Sequence, residues 1–200
     1  MTAVPVSNEV PTKLTTPVGI LSFPHLFTPQ AAQQADQKDK FSCTIVFLKG
    51  TDLAALVAAA YAAAEKKWPG KGVELLRSGK IKSPFRTDAT EKGYEEGAVF
   101  INVRSEVKPQ IVSRFKDSVT NKAIPITDEA EMYPGCLVRA TIAAFGYDKK
   151  GNRGVSFGLN NIQKMGEGAR LDGRKAAVDE FDADLTQEPA DLSSLGIPGA

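Results

Sequence analysis

Rings and cations interleave repeatedly in one stretch of the chain. Phe85 adjoins Arg86, Tyr94 stands near Lys92, Phe100, Asn102 and Arg104 alternate, Lys108 follows, and Arg114, Phe115 and Lys116 form a run. Further on, Arg139, Phe145 and Tyr147 share one parity. Such a mixture suits a flexible polyanion that carries bases, because rings stack on bases while cations meet phosphates. Stacking contributes about 1–3 kcal/mol per base and is indifferent to base identity, so the chemistry expected is binding without sequence preference. A single aromatic on a strand more often serves the core, and a lone Lys or Arg often guards a sheet edge; the repetition carries the reading.

Reaction chemistry finds fewer footholds. His25 is the sole histidine and lies between Pro24 and Leu26 in an apolar segment, where a structural role outweighs that of a general base. Cys43 and Cys136 are far apart and have no second histidine to complete a zinc-ligand spacing. A phosphate-loop motif is absent. The acids Asp88, Glu91, Glu95 and Glu96 could hold Mg²⁺ in a nuclease, but they lie with a lysine in a loop-like stretch that reads as solvated surface. A binding protein with no catalytic residue, metal or cofactor is expected, with a metal-dependent nuclease as the alternative.

The formal net charge of +1 conceals an asymmetry. Residues 1–175 hold all 25 Lys and Arg and 18 of the 24 acids, a balance of +7, whereas residues 176–200 hold six acids and no base. A basic body with an acidic end points to nucleic acid, since the end can compete for the surface that meets phosphates. No apolar run is long enough to span a membrane, and the N-terminus lacks a basic region followed by an apolar stretch, so a cytoplasmic protein is expected. Both cysteines sit in strand-like apolar segments and read as reduced, buried thiols.

The elements that must position these residues can be read from their periodicity. A loose arm over 1–12 leads to a strand over 18–27 bent at Pro24, and a second strand follows over 41–48. Residues 51–68 form the one long helix, with Thr51 as cap, Lys66 and Lys67 at its end, and Leu53, Leu56, Val57, Ala60 and Tyr61 on its packing face. Strands follow over 98–107, 111–115, 136–147 and 154–165, the last two joined by a basic hairpin connection. In the first of these, Val99, Ile101 and Val103 face one way and Phe100, Asn102 and Arg104 the other. Several strands with one inserted helix, and no strand-helix alternation, predict a mainly β, OB-fold-like antiparallel β-barrel. It spans 13–166, and an acidic tail over 167–200 follows it.

Seven segments in order carry a resemblance: 19–24 (GILSFP), 40–48, 83–86 (SPFR), 101–105 (INVRS), Lys108 with Pro109, 133–137 (YPGCL) and 154–164 (GVSFGLNNIQK). Together they resemble a phage family of single-stranded-DNA-binding proteins long catalogued as a domain of unknown function. The resemblance implies an OB-fold, sequence-independent binding of single strands in phage DNA replication and recombination, and residence in the cytoplasm of the infected bacterium. It further implies that the tail recruits replication proteins such as a polymerase or helicase. The partner-binding residues would be Asp179, Glu180, Phe181, Asp182 and Asp184. In some related proteins the tail finishes on an aromatic residue, whereas this chain ends on Ala200 and carries Phe181 inside the acidic run. A structural phage component using the fold for protein contacts is the further alternative.

Overall fold

The computed structural model describes residues 11–32, 38–149, 151–171 and 173; the acidic stretch 176–200 and most of the expected arm lie outside the described residues. The strands are β1 (Lys13–Thr15), β2 (Gly19–Gln30), β3 (Lys40–Phe47), β4 (Phe85–Arg86), β5 (Val99–Ser105), β6 (Gln110–Lys116), β7 (Ala123–Pro125), β8 (Leu137–Lys149) and β9 (Asn152–Gly166). The helices are α1 (Ala54–Lys67) and α2 (Gly72–Arg77).

The longest strands, β8 and β9, form a hairpin paired from Leu137↔Gly166 to Lys149↔Asn152. Its tight turn includes Gly151, whose φ of +83° is one that a side chain would resist. One edge of β9 is held by β8. Along the other, β5 and then β6 lie end to end, both parallel to β9: Arg104 is level with Gly158, and Gln110 with Asn161. The chain between them, 106–109, loops out opposite the middle of β9. β1 and β2 share the free edge of β8 in the same manner.

This corrects the expectation of an antiparallel β-barrel with one inserted helix. The nine strands run in the order β1-β8-β2-β3-β5-β9-β6-β7, with β4 added to β5. Two of the pairings are parallel. The sheet is not a barrel, and β1 and β7 lie at the ends of the strand order. Hydrophobic alternation identifies a half-buried strand but does not fix which strands become neighbours or in which direction they run. The mainly β character stands.

The inner face of the sheet holds the core: Leu21, Ile45, Phe47, Ile101, Val103, Ile142, Phe157 and Ile162 are each at most 1% exposed. Helix α1 packs on this layer through Leu56, Ala59, Ala60, Ala63 and Ala64, so its buried stripe is the alanine side rather than the face containing Val57 and Tyr61. Small side chains let the helix lie close to β8, where a Cβ on Gly146 would stand 3.3 Å from the Ala63 carbonyl oxygen. Tyr61 is only half-buried and accepts a hydrogen bond from Arg77 Nε at 3.3 Å. Thr51 does not cap α1: its Oγ1 donates to the Leu48 carbonyl, the N-cap position is Leu53, which offers no side-chain hydrogen bond, and Asp52 Oδ1 accepts from the Ala54 amide at 2.9 Å in the turn that leads into the helix. Helix α2 is an element the periodicity did not announce.

Cys43 and Cys136 are free thiols on the buried side. Burial pushes them up to about 12 and about 11 respectively. No helix among the described residues is long and apolar enough to cross a membrane.

Candidate nucleic-acid interface

The outer face of the sheet is assembled by register. Ser42 of β3 is paired with Arg104 of β5, Arg104 is level with Gly158 of β9, and Gly158 is paired with Ala143 of β8. Paired residues share a face, so this row crosses four strands on the surface opposite the core. Two pairs further toward the hairpin turn, on the same face, Ser156 faces Phe145; two beyond that, Gly154 faces Tyr147. The last five pairs of β8 and β9 extend past the β5 pairing as a hairpin arm, whose β9 edge is taken by Lys82, with its amide donating to the Arg153 carbonyl and its carbonyl accepting from the Val155 amide.

A groove of about 590 Å³ lies between this arm and the ends of β3 and β5. Lys38, Lys40, Arg104 and Lys149 bring positive charge to it, and Phe145 and Tyr147 bring rings. A smaller recess bounded by Gln30, Ser42 and the same Lys38, Lys40 and Arg104 continues it toward β2. Phe145 is 48% exposed. The floor beneath the rings has little side chain: Phe145 Cε1 would be 3.7 Å from a Cβ on Gly158, and Tyr147 Oη only 2.7 Å from one on Gly154. Each ring leans over a residue that has no side chain to displace it.

One carboxylate interrupts the positive lining. Glu106 lies 3.3 Å from Lys38 Nζ and 3.9 Å from Lys40 Nζ, with all three side chains substantially exposed. Exposed pairs of this kind contribute little and are screened by salt, so an incoming phosphate can replace Glu106 at low energetic cost. Asn102 is positioned on the same strand face as Arg104, its Oδ1 accepting from Thr44 Oγ1 at 2.7 Å.

Other expected site residues sit elsewhere. Phe100 has the expected parity but is only 4% exposed, because residues 86–98 fold back across this end of the face. It packs with Val46, Ala89 and Ala98 in a second small core. Tyr94 meets Phe100 edge-on with centroids 5.4 Å apart and donates its hydroxyl hydrogen to Ser22 Oγ. Phe85 packs edge-on against Phe157 at 5.7 Å. Arg86 is paired with Asp88 through hydrogen bonds of 3.0 and 2.6 Å and reaches over the Phe100 ring. That hydrogen bonding holds the Asp88 carboxyl below its usual range. No group of three His, Cys, Asp or Glu able to hold a metal occurs among the described residues.

Arg139 faces outward on β8, six positions before Phe145, roughly 20 Å along the strand. Its Nε donates to Gln163 Oε1 at 2.8 Å, and the two border a shallow recess with Val112, Thr141 and Asn161. Arg114, Phe115 and Lys116 lie further along β6 and are all exposed. Lys108 bends toward β2, its Nζ 5.6 Å from the centre of the Phe27 ring.

The sequence reading gave no role to Lys38, Lys40 or Phe23. The two lysines become informative only when β3 is placed beside β5. Phe23 is 63% exposed, has a φ of +45°, and stands in the β2 bulge between the Ser22–Thr44 and His25–Ser42 pairs. A bulky residue rarely adopts that conformation, and the Phe-Pro dipeptide, whose first residue is sterically restricted, was the available signal.

The family model described as Enterobacter phage Enc34, ssDNA-binding protein, matches residues 12–192. "Putative protein p50" of Acyrthosiphon pisum secondary endosymbiont phage 1 is 28% identical over 169 residues, covering 81% of this chain and 88% of that protein. Among solved structures, the single-stranded DNA-binding protein from bacteriophage Enc34 in complex with ssDNA superposes with a TM-score of 0.64 at 16% identity, covering 80% of this chain and 89% of that one. The single-stranded DNA-binding protein gp2.5 encoded by bacteriophage T7 gives 0.53 at 10% identity, covering 82% and 97%. At these identities the structural likenesses speak to the fold.

Proposed function

Because the chain belongs to the family of the Enterobacter phage Enc34 ssDNA-binding protein, we propose that it binds single-stranded DNA without sequence preference during phage DNA replication and recombination. It performs no turnover. The single observation that carries the reading is the convergence of Lys38, Lys40, Arg104 and Lys149 with the rings of Phe145 and Tyr147 on one groove. Phosphates replace Glu106 at the two lysines and meet Arg104, while bases stack on Phe145 and Tyr147. Backbone and ring contacts are blind to base identity, and Asn102 and Ser156 add polar contacts at the rim.

Arg139 extends the positive surface beyond the groove. Phe85, Tyr94 and Phe100 serve by holding residues 86–98 against the sheet, and Arg86 works from the edge of that layer. The DNA-binding unit spans 13–166, with the arm 1–12 before it and the tail 167–200 after it. The tail supplies negative charge that competes with DNA, and its residues Asp179, Glu180, Phe181, Asp182 and Asp184 recruit replication proteins such as a polymerase or helicase. On this reading the protein acts in the cytoplasm of the infected bacterial host.

The test is a titration of the full chain with single- and double-stranded oligonucleotides of several sequences. Expected is preference for the single strand, similar affinity for unrelated sequences, and steep weakening with salt. Equal binding to both forms, or strong dependence on sequence, would overturn the reading. Degradation of the strand in the presence of Mg²⁺ would favour the nuclease instead.

A further inference from the structure

Beyond the groove, β6 and β7 leave the sheet as a short two-stranded finger. Only residues 110–113 of β6 pair with β9; past Ser113, β6 is paired through Lys116↔Ala123 of β7 alone. Ser113 is level with Lys164, six positions along β9 from Gly158 and so roughly 20 Å from the row that contains Arg104. The finger therefore belongs to a different part of the surface from the groove.

Its tip is braced. Asp117 Oδ1 accepts hydrogen bonds from the Val119 amide, the Thr120 amide and Thr120 Oγ1 at 3.1, 2.7 and 2.9 Å, and the Asp117 amide donates to the Lys122 carbonyl. These donors hold the Asp117 carboxyl below its usual range. The one acid between Lys108 and Pro125 is thus committed to the turn, while Lys108, Arg114, Lys116 and Lys122 supply the cations. Ion pairs among the described residues involve none of these four. Phe115 is 62% exposed, and the Arg114 guanidinium carbon lies 4.9 Å from its ring centre.

The finger is also continuous with the groove. Val112 is level with Gln163, Gln163 is paired with Arg139, and Arg139 lies on the outward row of β8 that leads to Phe145 and Tyr147. Val112, Arg139 and Gln163 border a single recess at the midpoint. Arg139 and Asn161, both exposed, and the half-buried Thr141 and Gln163 thus lie between the two ring-bearing ends.

We infer that the β6–β7 finger is a second single-strand-binding subsite, in which Phe115 stacks a base and Arg114 and Lys116 meet phosphates. One strand would run from the hairpin arm past Arg139 to the finger. This rests on the reading of the groove as the primary DNA site. The occupant is a polyanion with flat bases rather than an apolar partner, because cations flank the exposed ring on both sides and Arg139 stands on the surface between the finger and the groove.

Oligothymidylates of increasing length, titrated against the full chain and the Phe115→Ala and Phe145→Ala variants, test it. Expected for Phe115→Ala is a loss that grows with length, reaching about tenfold once the strand spans both subsites. For Arg114→Ala combined with Lys116→Ala, the slope of log affinity against log salt on the long strand should shrink by about 1.4, at about 0.7 per phosphate contact. Wild-type affinity of Phe115→Ala at every length would overturn the inference, as would an equal loss at every length. Phe145→Ala reports separately on the groove: if it binds short strands as the wild type does, the groove reading fails, whatever the finger does.

Discussion

At the level of single residues, burial separates rings that can stack on a base from rings that hold the fold. Phe145 is 48% exposed and Phe100 4%, though both project from the same sheet face. Replacing Phe145 with Ala should lower single-strand affinity by about 1–3 kcal/mol with little change in melting temperature, measured by oligonucleotide titration beside thermal unfolding. Phe100→Ala should act the other way, costing about 3–5 kcal/mol of stability in denaturant unfolding, because it empties the small core under residues 86–98. The thiols provide a separate check. With Cys43 raised to about 12 and Cys136 to about 11, little thiolate forms at neutral pH. Both should resist alkylation in the folded protein and react once denaturant is added; rapid labelling of the native chain would contradict their placement.

At the level of elements, the strands were legible because their apolar residues alternate. β3, β5, β8 and β9 fall within a few residues of their expected limits, and the opposed faces of Ile101 and Val103 against Asn102 and Arg104 hold. Neighbour relations were not legible. Nothing local to β5 or β6 reveals that both run parallel to β9 along one edge, and Lys38 and Lys40 enter the site only through that arrangement. Helix α1 was recognised from its length and composition, and Leu56 and Ala60 of its expected face are buried, yet Ala59, Ala63 and Ala64 rather than Val57 and Tyr61 complete the buried stripe. The cover over Phe100 comes from a stretch with little periodicity, so parity alone could not distinguish an exposed ring from a covered one. The hairpin arm yields a prediction of its own: Gly154→Val should displace the Tyr147 ring and loosen the pairing of Lys82 with β9, since even a Cβ there would stand 2.7 Å from Tyr147 Oη and 2.8 Å from both Lys82 Cβ and the Lys82 carbonyl oxygen. Single-strand affinity should fall by severalfold with the rest of the sheet intact, as judged by titration and circular dichroism.

At the level of the whole molecule, charge distribution governs behaviour more than net charge does. On the proposed reading, the balance of +7 over residues 1–175 meets phosphates and the six acids of residues 176–200 compete with them. If four groove cations each neutralise one phosphate, log affinity should fall with log salt at a slope near −3, at about −0.7 per contact. A slope near zero would mean that the cations do not contact the strand. A chain ending at residue 175 should bind single strands more tightly at low salt and about as tightly as the full chain at high salt, where the competing charge is screened. Unchanged affinity at low salt would rule out competition by the tail.

The groove itself is tested most directly by photo-crosslinking the full chain to a uniformly substituted single strand and identifying the modified residues by peptide mapping. Adducts on Phe145 or Tyr147 are the expected result, diminished when excess unlabelled single strand is present. Adducts confined to α1 and α2, on the opposite side of the sheet, would show that the strand takes another path.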